Sequence, residues 1–222
     1  MTHALATIRE ILTSSPVMPV IVLDRVTDAV PLARALVAGG IRVLEVTMRT
    51  AAALDSVRAI RQDVPEAVVG VGTIVSVADF DAAVAAGAVF GVSPGSTDTL
   101  LAHVASQNFP FLPGCMTPSD LMRAMQAGFH AVKLFPAKQA GGVEMLKALG
   151  GPFPSIQFCP TGGVDAASAP EYLKLPNVAC VGGSWLAPAN LVNTGDWDAI
   201  RLRAVAASAL RSVNTNPATT SP

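Results

Sequence analysis

The stretch VLEVTMRTAAALDSVRAIRQDVPEAVVGVGT, residues 43–73, decides the fold. It opens on a short branched run (43–47), passes through a stretch with helical spacing of its apolar residues (51–62), and closes on a second branched run (68–73). Two strands separated by a helix cannot form a hairpin, so they pair in parallel through a crossover.

The same rhythm continues in both directions. Strand-like runs fall at 18–23, 89–93, 110–114, 130–135, 156–160 and 178–183, with helical stretches at 27–39, 76–86, 97–107, 118–127, 142–149 and 166–174. Gly39–Gly40, Gly87 and Gly128 follow Ala-rich turns, where left-handed residues close helices. Most strands are apolar almost throughout, as strands of a parallel sheet covered on both faces are. Eight such units in 222 residues predict an α/β protein, a single (β/α)8 TIM barrel. An amphipathic N-terminal helix is expected in MTHALATIREIL, residues 1–12. The barrel domain is placed at 1–211 and a polar tail at 212–222. A doubly wound open sheet is the alternative, but no strand–turn–helix carries the G-x-G-x-x-G fingerprint.

Composition narrows the function. Apolar residues make up 51% of the chain and charged residues 14%, enough for a large core. Aromatics are 5%, the net charge is −1, and no run of lysine and arginine occurs, so no nucleic-acid or membrane partner is expected. Cys115, Cys159 and Cys180 are too few and too scattered for a disulfide framework, which fits reduced thiols in a cytoplasmic protein. The N-terminus lacks the apolar core and cleavage site of a signal peptide, and no run is long enough to span a bilayer.

Of four lysines, Lys133 alone sits inside an apolar strand, in HAVKLFPA (130–137). Burying an ammonium is costly, and burial favours the neutral amine, the nucleophile of Schiff-base chemistry. The plain alternative is a lysine that snorkels from an edge strand into water. Strand alternation puts Val43, Glu45, Thr47 and Arg49 on one face, and the same parity groups Lys133 with Ala131 and Phe135. In a barrel the polar members of such faces gather at the C-terminal mouth, where Thr73 and Ser93-Pro94-Gly95 end the third and fourth strands. An inward Glu45 needs a partner, and Lys133 supplies one; a purely structural ion pair is the competing account.

Two double glycines end successive strands: Thr161-Gly162-Gly163 and Gly182-Gly183-Ser184. Barrels bind phosphate with the loops after their last two strands, where glycines let backbone N–H groups approach an anion. Each pair could instead be only a tight turn. His3, His103 and His130 are scattered and no Cys-x-x-Cys occurs, so no metal site is expected; no G-x-S-x-G elbow points to a serine hydrolase.

In order along the chain, EVTMRT, VGTI, SPG, KLFPA, PTGGV and GGSWL resemble the class I aldolases that cleave 2-keto-3-deoxy-6-phosphogluconate (KDPG), an Entner–Doudoroff enzyme family with members that also act on 4-hydroxy-2-oxoglutarate. The resemblance runs from the first strand to about Trp185. It implies a cytoplasmic lyase acting on a keto-acid sugar phosphate, without cofactor or metal, and a homotrimer. It gives Lys133 the Schiff base, Glu45 the proton transfers, and Arg49 and Thr73 the pyruvate end. Pro94 and Phe135 would pack against that end, and Thr161, Gly162, Gly163, Gly183 and Ser184 would hold the phosphate. Val71, and CMTPSD at 115–120, depart from the family pattern and bear on substrate detail. The galactonate-series aldolase remains an alternative, as do a sugar-phosphate isomerase, epimerase or decarboxylase barrel and a non-catalytic sugar-acid-binding barrel.

Overall fold

The structure is a computed structural model that describes residues 7–211. The expected tail, His3 and the first residues of the N-terminal helix lie outside them. Nine strands occur among the described residues: β1 Val17–Ile21, β2 Val43–Thr47, β3 Val68–Gly72, β4 Gly91–Val92, β5 Phe111–Leu112, β6 Gly114–Cys115, β7 Ala131–Leu134, β8 Gln157–Pro160 and β9 Val181–Gly183. The helices are α1 Ile8–Thr13, α2 Ala29–Ala38, α3 Ala53–Asp63, α4 Val77–Ala85, α5 Asp98–Ser106, α6 Pro118–Gln126, α7 Gly142–Gly150, α8 Ala169–Leu173, α9 Ala189–Thr194 and α10 Trp197–Ser208.

Local chemistry explains where helices begin and end. In α1 the Thr7 side chain and Glu10 form a reciprocal capping box, and Thr117 and Asp120 do the same for α6, with Pro118 in its first turn. Ser76 and Thr97 accept the N–H of Asp79 and Leu100 to start α4 and α5. Gly40, Gly87 and Gly128 adopt φ of 89°, 87° and 90°, as expected of helix-closing glycines. Gly39 does not; its φ is −84°, and it is needed because a Cβ there would come within 2.4 Å of the Ala204 side chain on α10.

All pairings between named strands are parallel. Six strands form one curled sheet in the order β5-β4-β3-β2-β1-β9, and three form another, β6-β7-β8. The expected fifth strand (110–114) is therefore two pieces, because Pro113 has no N–H to give the ladder and the pairing changes sheet across it. The fourth is shorter than the run at 89–93 suggested, and the last begins at Val181. The two sheets meet again through isolated parallel bridges Phe158↔Val178 and Thr161↔Gly182.

Two apolar clusters accompany this arrangement. The larger one packs strand residues such as Leu44, Val46, Val69 and Val71 against helix residues such as Leu32, Leu36, Val57 and Ile60. The smaller one gathers Met18, Val43, Val92, Leu112, Ala131 and Cys159 from the opposite faces of six strands, joined by Ile11 and Leu12 of α1. Alternation along each strand separates the two clusters, so Val43 joins the inner one and Leu44 the outer.

Candidate active site

The inner faces turn polar immediately above the small cluster. Glu45 follows Val43 by one pleat in β2, and Lys133 follows Ala131 by one pleat in β7. The Lys133 Nζ lies 3.1 Å from Glu45 Oε1 and donates to it, with the two side chains 4% and 0% exposed. The lysine does not snorkel. Its amine also lies 5.3 Å from the centroid of the half-buried Phe135 ring. The remaining carboxylate oxygen, Glu45 Oε2, is buried with no hydrogen-bond partner among the described residues. A structural ion pair would be expected to satisfy both oxygens, since an unpaired buried acceptor is costly. An orphaned carboxylate oxygen beside a buried amine is instead suited to take and return protons.

Backbone choices make room for this pair. A Cβ on Gly72 would fall 2.1 Å from Glu45 Oε1, so only glycine lets the carboxylate sit where it does. Thr47, one pleat further along, is buried and spends its hydroxyl on the Ile21 carbonyl at 2.8 Å. The next residue after β3 is Thr73, half-buried with φ of 65°. A β-branched residue in the left-handed region is strained, and such strain concentrates where function needs a particular direction. Pro94 is half-buried beside Gly114, whose Cβ would meet the Pro94 carbonyl carbon at 2.3 Å.

Arg49 departs from the strand-parity expectation. Alternation ends with β2 at Thr47, and Arg49 lies in the following turn, exposed, with no ion pair among the described residues. The pleat therefore does not set its direction.

The two double glycines turn out to be different devices. Gly162 and Gly163 take φ of 96° and 74°, two consecutive left-handed residues in the turn after β8. Gly182 and Gly183 lie in β9 itself and are not a turn. They are needed for close approach: a Cβ would come within 2.2 Å of Thr161 Oγ1 at Gly182 and 1.8 Å of the Trp185 ring at Gly183. Thr161 is buried, with its hydroxyl donating to the Cys159 carbonyl at 3.3 Å, while Ser184 is exposed. The Thr161 carbonyl accepts from the Ala137 N–H at 2.7 Å, and the Gly162 carbonyl from the Lys138 N–H at 3.0 Å. These bonds hold the loop after β7 against the loop after β8. They also bring the Lys138 stem to the glycine turn, where a Cβ on Gly163 would meet it at 2.6 Å.

Lys138 is the residue that sequence reasoning passed over. A lysine five residues beyond Lys133 in a β-to-α loop carried no signal that the turn after β8 would fold against it. Its charge, after the Ser168 backbone N–H, the Ser168 hydroxyl and the Ala167 N–H, helps hold the Asp165 carboxyl below its usual range. Cys115, beside β7 in β6, is no competing nucleophile. Burial first, and the charge of Asp120 second, push its thiol up to about 12, so it keeps its proton at neutral pH.

A model of the KDPG and KHG aldolase family matches residues 8–202. That span carries the buried lysine, its carboxylate partner and both glycine segments. The chain belongs to this family. It is 50% identical over 192 residues to the 2-dehydro-3-deoxy-phosphogluconate aldolase of Pseudoalteromonas atlantica, covering 86% of this chain and 89% of that one. To the KHG/KDPG aldolase of Escherichia coli K12 it is 50% identical over 190 residues, covering 86% and 89%. Among solved structures, the KDPG aldolase of Legionella pneumophila with pyruvate captured as a covalent carbinolamine matches with a TM-score of 0.90 and 44% identity, covering 91% of this chain and 98% of that one. The 3-keto-L-gulonate-6-phosphate decarboxylase of Vibrio cholerae shares the fold, with a TM-score of 0.61 at 20% identity. No helix among the described residues is long and apolar enough to cross a membrane.

Proposed function

We propose that this protein is a class I aldolase that reversibly cleaves KDPG to pyruvate and glyceraldehyde 3-phosphate, with Lys133 as its Schiff-base lysine. The observation that carries this reading is the buried contact of 3.1 Å between Lys133 Nζ and Glu45 Oε1, with the second carboxylate oxygen unpartnered.

The amine attacks the keto carbon of the substrate, forming a carbinolamine. Loss of water, with Glu45 supplying and removing protons, gives a protonated imine. Glu45 then takes the proton of the 4-hydroxyl, and the bond between C3 and C4 breaks. Its electron pair flows into the iminium to give an enamine, and the aldehyde leaves. The enamine carbon takes a proton back, and water hydrolyses the imine to release pyruvate and restore the amine. The iminium is the electron sink. Proton donation and removal by one positioned group contribute about 10² to 10⁴ in such steps.

The remaining residues divide by the end of the substrate they meet. Arg49 pairs with the pyruvate carboxylate in a charge-assisted contact, and Thr73 hydrogen-bonds the same end. Phe135 and Pro94 wall it in. The left-handed Gly162–Gly163 turn, Gly183 and Ser184 receive the phosphate, with Lys138 alongside. Thr161, at the base of the same turn, joins them and bears on the neighbouring hydroxyl-carrying carbons. A substrate without phosphate, 4-hydroxy-2-oxoglutarate, presents the same pyruvoyl end, with a carboxylate on the carbon that bears the hydroxyl.

We further infer that the two sheets are arcs of one eight-stranded barrel, closed by an N-terminal helix. The continuity of chain at Pro113, the bridges from Phe158 to Val178 and from Thr161 to Gly182, and the cluster drawn from the inner faces of six strands support it. A homotrimer in the cytoplasm is proposed on the family resemblance.

Borohydride reduction with pyruvate, followed by peptide mass spectrometry, tests the mechanism. A pyruvate-derived increment on Lys133, lost in Lys133→Met, is the expected result. No increment on folded protein, or an increment on Lys138 alone, overturns it.

A further inference from the structure

The Lys133–Glu45 pair spans two hydrogen-bonded sheets, with Glu45 in β2 of the larger and Lys133 in β7 of the smaller. Their separation therefore depends on how the sheets are held together where the ladder breaks. Up to Val92↔Leu112 the pairing of β4 with β5 is ordinary, and the Ser93 N–H still donates to the Leu112 carbonyl at 3.2 Å. Pro113 then interrupts. The next donor, the Gly114 N–H, is buried and goes to the Ser93 hydroxyl at 3.0 Å instead of to a main-chain carbonyl.

Ser93 is fully buried, and its hydroxyl also lies 3.1 Å from Ser96 Oγ. On its other side Gly114 is the direct partner of Lys133, whose N–H donates to the Pro113 carbonyl at 2.9 Å. The path from β4 through the Ser93 hydroxyl to Gly114 and Lys133 is thus continuous. It also clamps the Pro94 peptide onto Gly114, where a Cβ would come within 2.3 Å.

We infer that Ser93 is a positioning residue for the Lys133–Glu45 pair, its hydroxyl acting as a side-chain rung that fixes the smaller sheet against the larger where Pro113 breaks the ladder. This inference rests on the aldolase reading of the pair. It differs from a merely structural role in what it predicts for chemistry. A serine that only satisfies a buried N–H would change stability and leave turnover at 25 °C alone. A serine that sets the geometry changes kcat, since a misplacement of about 1 Å costs about a hundredfold in rate.

The test compares wild type with Ser93→Ala, and with Ser93→Cys, which keeps the side-chain volume but accepts hydrogen bonds poorly. Ser96 is no control, since its hydroxyl contacts both Ser93 Oγ at 3.1 Å and the Gly114 carbonyl at 3.5 Å; Thr7→Ala, which removes the hydroxyl that caps α1, controls for lost stability alone. Hydrogen exchange of the Gly114 amide, kcat and KM for aldol cleavage, and borohydride trapping of pyruvate are read on each. The expected result is faster Gly114 exchange in both Ser93 variants, with kcat lowered about tenfold to a hundredfold and KM changed far less. Thr7→Ala should stay near wild type in kcat. Where Ser93→Ala does not fold, Ser93→Cys carries the comparison. Faster Gly114 exchange with unchanged kcat overturns the inference, as does a Gly114 amide unaffected by either substitution. Wild-type protein that traps no pyruvate overturns the aldolase reading itself, and the inference with it.

Discussion

The glycine at position 72 gives a quantitative handle on the site. Its φ is not left-handed, so alanine meets no backbone strain there and the whole effect is steric. The added methyl group would sit 2.1 Å from Glu45 Oε1 and 2.7 Å from Glu45 Cγ. To bring the nearer approach out to the 3.4 Å at which ordinary contact begins, the carboxylate must retreat by about 1.3 Å. Glu45 is fully buried, so the displaced group has nowhere wet to go, and its 3.1 Å contact with Lys133 is lost. Misplacement on this scale costs about a hundredfold in rate. Disrupting a buried pair costs up to about 3–5 kcal/mol, the figure for outright loss of one partner. Gly72→Ala should therefore lower kcat about a hundredfold, and its midpoint in a denaturant titration should fall with an unchanged slope. Gly95→Ala is the control, because a Cβ there meets nothing within 4 Å. Steady-state cleavage kinetics beside urea unfolding measure both effects. A Gly72→Ala enzyme with wild-type kcat would show that the position of the Glu45 carboxylate does not limit the reaction.

Glu45→Gln should retain the fold, keep pyruvate trapping at a reduced rate, and slow turnover by about 10² to 10⁴; undiminished turnover would remove Glu45 from the proton transfers. Asp165, whose carboxyl is held below its usual range chiefly by the Ser168 N–H at 2.8 Å, supports the turn beyond the glycine loop. Because its folded pKa is depressed, its contribution is present above the ordinary value of 3.8 and is lost as pH falls through the lowered one. The Ala167 and Ser168 amides should thus lose exchange protection on acidification below about pH 4, and Asp165→Asn should flatten that dependence.

Much of this was legible in the sequence because it depends on alternation and on rare residues. The unit at 43–73 announces a parallel crossover, and strand parity alone places Glu45 and Lys133 on inner faces, where they meet. Parity fails once the strand ends. It could not direct Arg49, which lies in a turn, nor foresee the left-handed Thr73 after β3. Glycine pairs were equally ambiguous. Gly162–Gly163 is there for left-handed backbone and Gly182–Gly183 for close approach, two demands that leave the same letters in a sequence. The partition at Pro113 was hidden for another reason. A proline in a strand signals a missing donor, but which side chain takes up the next N–H depends on a loop 21 residues away.

The arrangement of the pair argues for chemistry over stability. A buried ion pair gains little net stability over apolar residues of the same volume, because desolvation offsets most of the attraction. Here the fold commits more than the two side chains. It leaves one carboxylate oxygen unpartnered, gives up a side chain at Gly72 to seat the other, and sets Thr73 in a strained conformation just past the same strand. Each of these lowers stability, and Gly72 and Thr73 stand at the end of the strand paired with the one that carries Glu45. Local losses that converge on one contact are what a reacting centre requires, since a functional site gives up stability to hold a particular geometry.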